Sequence, residues 1–375
     1  MTNFKIVDQI CEILDPLHWT EKKTDCFIQA CRIMAEFHLT HNLEIRYLYN
    51  RHGFSPKDIQ TEKDLELLPP LGVAAMKRYL ITSLPHEKAT LKLSSSGTRG
   101  QITQIWFDQG SLNRVQAMMN GYFLQEGWIS SDPVNYLIFN YNPEQSGNLG
   151  IAYSIKNQLR FAPANNSFFS IQKDEKGEWV FEKEKTLYTL KRYCDEKFPI
   201  RIIGMPSFIY DFTLFLKSNQ SSPFRLPNQS RLFTAGGWKA AEERKISRAQ
   251  FRSLCVEAFG IPEEFQRDGF GMAEHSAPYF ECKHHRFHIP VYNRILIRDP
   301  FTFQCLTSGE VGLMELITPF NAMMPTLSIL STDYGRIYQD PCLCGLQSPT
   351  FEVIGRAGIQ LSKGCAFTAQ DWVKR

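Results

Sequence analysis

The sequence predicts an α/β protein, and three observations predict it. The opening is helical, the middle alternates short apolar strands with loops and helices, and the end is dominated by strands. Thr20 can cap a first helix in which Phe27, Cys31, Met34 and Phe37 recur at helical spacing. From about residue 90 the texture changes to apolar runs punctuated by Gly, Pro and Ser. Ala89 to Leu93 reads as a strand running into SSSGTRG, and a helix follows with Leu112, Val115, Met118 and Tyr122 on one face. Tyr136 to Phe139 and Ile200 to Ile203 read as buried strands. The second continues through GMPS into a helix carrying Phe208, Phe212 and Phe215. Arg231 to Thr234 is a further strand ending in AGGW. Ser247 with Gln250 forms a capping box for a helix to Phe259, which Gly260 stops. From about 287 to 338 the pattern is β, with VYNRILIR and VGLMELI set between Pro and Gly turns. The aromatic stretches Tyr136–Tyr141 and Phe208–Phe215 read as core.

Composition narrows the class. The chain has 375 residues, 43% hydrophobic and 22% charged, enough for one large domain or two smaller ones. A net charge of +3 with scattered basic residues gives no reason to expect a nucleic-acid partner. The opening MTNFKIVDQICEILDPL mixes acids into its apolar positions and does not read as a signal peptide. No apolar run approaches the roughly 20 residues of a membrane helix. Ten cysteines without an exported leader point to a reducing cytoplasm rather than a disulfide framework. His-Glu-x-x-His, Gly-x-Ser-x-Gly and Gly-x-Gly-x-x-Gly patterns do not occur, which removes the common protease, hydrolase and dehydrogenase readings.

The loop Ser94, Ser95, Ser96, Gly97, Thr98, Arg99, Gly100 follows a predicted strand and offers hydroxyls and open backbone N–H groups, which is what a phosphate chain needs. It is not a Walker A loop, because no Gly-Lys-Ser/Thr follows; on its own it could equally be a plain turn. It resembles the phosphate-binding loop of adenylate-forming enzymes, and further motifs occur in that family's order. AGGW (Ala235–Trp238, with Gly236 and Gly237) resembles the glycine turn beside the adenine. FGMAE is similar to the family's aromatic-Gly-x-Thr-Glu motif, implying that Phe270 and Gly271 flank the adenine and that Glu274 holds Mg2+. STDYG resembles the Thr-Gly-Asp segment, implying that Asp333 binds the ribose hydroxyls of ATP. IGR resembles the Gly-Arg that opens the hinge, which maps onto Arg356. The implied fold is the large N-terminal domain of an adenylate-forming enzyme: mixed sheets with packed helices plus a β-rich subdomain. The implied organisation is a helical region 1–88, an adenylate-forming core 89–355 and an arm 356–375, with the C-terminal lid domain absent.

The pattern departs from the family at three places. Arg99 and Gln101 stand where a phosphate-loop lysine is usual, Ala273 replaces the threonine of the magnesium motif, and the lid lysine has no counterpart. Arg99, Lys239 and Lys363 are the candidate substitutes.

GMPSFIYDF, TAGGWKAAE and SKGCAF resemble the LuxE family of acyl-protein synthetases from bacterial bioluminescence. That resemblance implies an ATP-dependent ligase that joins a long-chain fatty acid to AMP and passes the acyl group to its own cysteine. An acyl reductase partner then receives it. The acylated cysteine maps onto Cys365. Lys363 can lower its thiol pKa and Gly364 leaves it accessible. ECKHHRFHIP, GEVGLMEL and CLCG look instead like the phenylacetate–CoA ligase branch. Two alternatives therefore stay open: a ligase delivering acyl groups straight to coenzyme A or a carrier thiol, and a non-catalytic scaffold for an acyl reductase.

Cys282, His288, Cys342 and Cys344 form Cys-x5-His and Cys-x-Cys pairs that suit tetrahedral Zn2+ if the fold brings them together, with His284 and His285 as competing ligands. They match positions in the phenylacetate–CoA ligase branch, where a structural metal is expected. Reduced thiols without metal are the alternative.

Overall fold

A computed structural model describes residues 3–94, 103–146, 155, 157–219, 223–277 and 279–356. Three helices open the chain: α1 (Lys5–Cys11), α2 (Glu21–His41) and α3 (Leu43–Arg51). Thr20 caps α2 as expected, its side chain accepting from Lys23 N, and Phe27, Cys31, Met34 and Phe37 are all buried. Strand β1 (Leu71–Gly72) and helix α4 (Val73–Arg78) follow, then the antiparallel pair β2 (Leu91–Ser94) and β3 (Gln104–Phe107). The first strand of that pair thus starts two residues later than the sequence predicts. Helix α5 (Gln109–Gln125) buries Leu112, Val115, Met118 and Tyr122.

A seven-stranded sheet forms the centre. It contains β4 (Val134–Tyr141), β5 (Ala164–Lys173), β6 (Trp179–Phe181), β7 (Ile200–Gly204), β8 (Arg231–Ala235), β9 (Gln266–Phe270) and β10 (Tyr279–Phe280). Their order is β10-β9-β8-β7-β4-β5-β6, parallel from β9 to β5 with an antiparallel strand at each edge. The short helix α6 (Pro143–Ser146) and the longer α7 (Lys183–Glu196), α8 (Pro206–Ser218) and α9 (Arg248–Phe259) connect these strands. Leu190, Phe212, Cys255 and Phe259 from the last three pack on Leu137, Ile202 and Leu232 of the sheet. The capping box at Ser247 and Gln250 is present, and Gly260 ends its helix with φ +69°.

The β-rich end forms a second sheet from β11 (Phe287–His288), β12 (Arg294–Arg298), β13 (Gly312–Ile317), β14 (Ser328–Tyr338) and β15 (Thr350–Arg356), in the order β11-β15-β14-β13-β12. β1 adds to it by pairing in parallel with β14 at Ile329 and Leu330. The opening helices share a core with this sheet: Phe27, Met34 and Val73 belong to the same cluster as Met118, Phe320, Met323 and Ile329. Asp8 pairs with Arg114 at 2.7 Å, and Arg294 lies over Trp19 at 3.8 Å, fastening the helices to both neighbours. No helix among the described residues is long and apolar enough to cross a membrane.

Candidate active site and metal centre

In a parallel sheet the loops beyond the carboxyl ends of the strands are where a ligand can approach open backbone. Here β8 ends in the AGGW turn, where Gly236 and Gly237 have φ +89° and +65°, a left-handed path that excludes most side chains. β9 ends at Phe270, whose ring meets Phe351 at 5.7 Å, Tyr279 at 6.1 Å and Phe287 at 6.3 Å. Gly271 follows it, and Glu274 lies in the next turn, buried, with Oε1 accepting from Thr103 Oγ1 at 2.6 Å.

Glu274 is close enough to Asp333 on β14 for its charge to raise that carboxyl's pKa, adding to the dominant effect of burial. Arg356 opposes both, its Nε donating to Asp333 Oδ1 at 3.1 Å, and the Lys77 ammonium also pulls Asp333 down. Asp333 and Arg356 are direct cross-strand partners of β14 and β15, so sheet register itself sets the ion pair. Ser331 Oγ accepts from the Asp333 backbone N–H at 3.0 Å and shapes this turn of the motif. Two buried carboxylates and one half-exposed guanidinium thus come from motifs widely separated in sequence.

Ser94 ends β2, but Ser95, Ser96, Gly97, Thr98 and Arg99 lie outside the described residues, as do Lys363 and Cys365 and the side chain of Lys239. Sequence reasoning missed Thr103, Lys77 and Asp268. Lys77 is exposed in the last turn of α4 and nothing in its local sequence marks it. Asp268 was detectable as an acid inside a buried strand, two residues before Phe270. Burial pushes its pKa up to about 6 and Glu281 adds to this, while Arg248 and the Thr234 hydroxyl, 2.8 Å from Oδ1, oppose the rise.

The four metal-ligand candidates do come together. Their ligand atoms all lie within 4.8 Å of one another. Cys282 follows β10, His288 sits in β11 opposite Thr350 of β15, and Cys342 and Cys344 occupy the turn between β14 and β15. Cys282 Sγ and Cys342 Sγ are 3.8 Å apart, and Cys344 Sγ lies 3.3 Å from His288 Nε2. A tetrahedral ion with Zn–S bonds near 2.3 Å places its sulfurs about 3.8 Å apart and its sulfur and nitrogen about 3.5 Å apart. The wider pairs need to close by up to about 1 Å to meet those edges.

Ligand chemistry agrees with the spacing. Burial holds the His288 pKa down to about 4, so its ring is neutral, and Ser348 Oγ lies 2.7 Å from Nδ1, leaving Nε2 directed at the sulfurs. Burial pushes the Cys282 thiol up to about 12 and the neighbouring Cys344 and Cys342 add to it. Three thiolates in so small a volume need a cation to exist together. Backbone N–H groups of His284 and Leu346 point at Cys282 and Cys344 sulfurs, each at 3.4 Å, as ligands to a metal require. The competing histidines are resolved: His285 turns to Glu281, with Nδ1 3.4 Å from its carboxylate, and His284 contributes its backbone. With every position filled by protein, the centre would be structural.

The fold is of the mixed α/β class and resembles the large N-terminal domain of adenylate-forming ligases. The chain belongs to the LuxE acyl-protein synthetase family, whose model matches residues 1–373. It is 26% identical over 381 residues to the long-chain-fatty-acid–luciferin-component ligase of Aliivibrio fischeri, spanning 98% of this chain and 94% of that one. The enzyme of the same description from Vibrio harveyi is 24% identical over 368 residues, spanning 96% and 92%. Among solved structures, an open conformation of 2-hydroxyisobutyryl-CoA ligase in complex with 2-HIB-AMP and CoA superposes with a TM-score of 0.67. At 14% identity it covers 91% of this chain and 78% of its own, and the likeness is one of fold.

Proposed function

We propose that this ligase activates a long-chain fatty acid with ATP, captures the acyl group on Cys365 and hands it to a partner acyl reductase. In the first step a carboxylate oxygen of the acid attacks the α-phosphorus of ATP, forming the acyl-AMP anhydride and releasing pyrophosphate. In the second the Cys365 thiolate attacks the acyl carbon, the C–O bond to AMP breaks, and a thioester remains on the protein. Gly236, Gly237, Phe270 and Gly271 surround the adenine in this reading, Asp333 accepts from the ribose hydroxyls, and the Ser94–Thr98 loop donates to the phosphates. Glu274 holds Mg2+, which neutralises phosphate charge when bound. Arg356 keeps Asp333 ionised and oriented. Cys282, His288, Cys342 and Cys344 hold a structural Zn2+. For the cation that balances charge at the α-phosphate, Lys77 joins Arg99, Lys239 and Lys363 as a candidate, because it acts on Asp333 electrostatically.

The observation carrying the reading is the Asp333–Arg356 ion pair, with Glu274 near enough to act on Asp333 electrostatically. The family of the chain and the name of its relatives support a fatty acid as the substrate, and the SKGCAF resemblance supports Cys365 as the acyl carrier. The test is incubation with ATP, Mg2+ and radiolabelled tetradecanoic acid, followed by neutral hydroxylamine. Hydroxylamine-labile label on wild-type protein, absent from Cys365→Ser while ATP–pyrophosphate exchange persists, is the expected result. Exchange with no label on the wild-type protein would instead point to a ligase acting directly on a soluble thiol, and no exchange across a panel of acids would leave a scaffold.

A further inference from the structure

The amino ends of the parallel strands, opposite the nucleotide side, carry an unusual set of charges. Arg201 is the second residue of β7, Arg231 the first of β8 and Arg267 the second of β9, so adjacent strands bring three guanidiniums to one edge. Arg201 and Arg267 are buried, at 5% and 9% exposure, and Arg231 is half-buried. Among the described residues, neither Arg201 nor Arg231 donates a side-chain hydrogen bond or forms an ion pair. Their contacts are with the Trp128 ring, at 6.0 and 5.1 Å, and, for Arg231, with Phe265 at 5.9 Å. Arg267 bonds the carbonyls of Glu264 and Gln266, and its nearest carboxylate, Glu126, is 3.9 Å away.

Glu126 therefore faces Arg231 and Arg267, and among the described residues no carboxylate lies within ion-pair distance of Arg201 or Arg231. Burial holds Arg201 and Arg231 below the usual arginine value, and the charges of Arg201 and Arg267 press Arg231 further down, with Glu126 opposing. Unpaired guanidiniums at such a depth are costly unless an anion meets them. A cavity of about 130 Å3 opens beside them, lined by Arg201, Arg231, Ser130, Gln229 and the exposed Asp132 at its rim. It admits a group several times the size of a water molecule but not a nucleotide. Gln229 holds a left-handed φ of +65° in its wall, a strained backbone of the kind that binding sites retain.

We propose that this cavity is an oxyanion site for a phosphate-class group, gripped by the Arg201 and Arg231 side chains and separate from the nucleotide site. Phosphate suits it better than a carboxylate, because up to two charges spread over three or four terminal oxygens answer two forked guanidiniums, while one charge answers one. β8 spans five residues, which puts Arg231 about 13 Å from the AGGW turn at its other end. Occupancy would thus act on the sheet rather than on the chemistry. Free phosphate, pyrophosphate and a phosphomonoester all carry this chemistry.

The test is thermal unfolding of the full chain titrated with sodium phosphate, pyrophosphate or glycerol 3-phosphate, each against sodium chloride at matched ionic strength. The expected result is a saturable rise of about 2–4 °C over chloride. That rise persists in Glu274→Gln, which weakens the phosphate side of the nucleotide site, and falls by at least half in Arg231→Gln. Without ligand, Arg231→Gln should melt no lower than wild type, because it relieves repulsion from Arg201 and Arg267. The tightest of the three ligands identifies the source. No excess over chloride, or an equal rise in Arg231→Gln, overturns the site, whether or not the protein proves to be an acyl-protein synthetase.

Discussion

Asp333 shows how one residue is tuned by its surroundings: burial raises its pKa, and Arg356 at 3.1 Å brings it back toward ionisation. A pair of charge-assisted hydrogen bonds to a substrate is worth about 1.5–3 kcal/mol, or roughly 10–100-fold in affinity. Asp333→Ala should therefore raise the KM for ATP in pyrophosphate exchange by about that factor with a smaller change in kcat; an unchanged KM would remove Asp333 from the site. Asp268 makes the opposite case. With its pKa raised to about 6 by burial, it favours the protonated form in the folded chain. Its contribution to stability is full below the unfolded carboxyl value and is lost as pH rises through about 6. Asp268→Asn should consequently be more stable than wild type by about 1–3 kcal/mol at pH 7.5, with the gain shrinking toward pH 4.5. Urea denaturation at both pH values measures this, and a gain independent of pH would contradict it. At this scale Glu274, Asp333 and Arg356 were legible in the sequence through the resemblance of FGMAE, STDYG and IGR to family motifs. Thr103 and Lys77 were not, because only the folded chain brings them near those motifs.

Among the elements, the helices with one continuous apolar stripe and a marked cap could be read directly: α2 from Thr20, α9 from Ser247. Residues 164–196 gave no such signal. β5 begins with exposed Ala164 and Asn165, β6 is an exposed edge strand, and α7 buries Thr186 and Thr189 beside Leu190 and Tyr193, so its inward stripe is half polar. Hydropathy cannot see a stripe made of threonines. Gly335 of STDYG illustrates a motif residue fixed by packing. A Cβ there would come within 2.6 Å of Met314 Sδ and 2.7 Å of the Glu352 carbonyl oxygen, beside the register shift that separates Tyr334 from Gly335. Gly335→Ala should cost about 1–3 kcal/mol in urea denaturation. It should also weaken ATP binding, because the shift lies between Asp333 and the rest of the hairpin. Stability within experimental error of wild type would show that the neighbours yield freely.

The two larger sheets meet beside the bridge between Glu281 and Phe287, and the Cys282–His288–Cys342–Cys344 cluster sits there. β10 belongs to the parallel sheet and β11 to the other, and the cluster takes one ligand just past the first and one from the second. Purified protein should carry about one zinc per chain by elemental analysis. Chelation, or Cys344→Ser, should lower its melting temperature by several degrees. A metal-free preparation with an unchanged melting temperature would argue for plain thiols. The four ligands were legible as residue types, but their meeting depends on a sheet order that no local pattern encodes.

The β14–β15 hairpin carries this further. Its turn holds Cys342 and Cys344, and its far end holds Asp333 opposite Arg356. Such a ribbon behaves like a zipper with the slider at one end and the working teeth at the other. A slip of one residue at the turn would send Asp333 to the opposite face. Chain that lacks metal would then fail first as an ATP binder and only later as a folded protein.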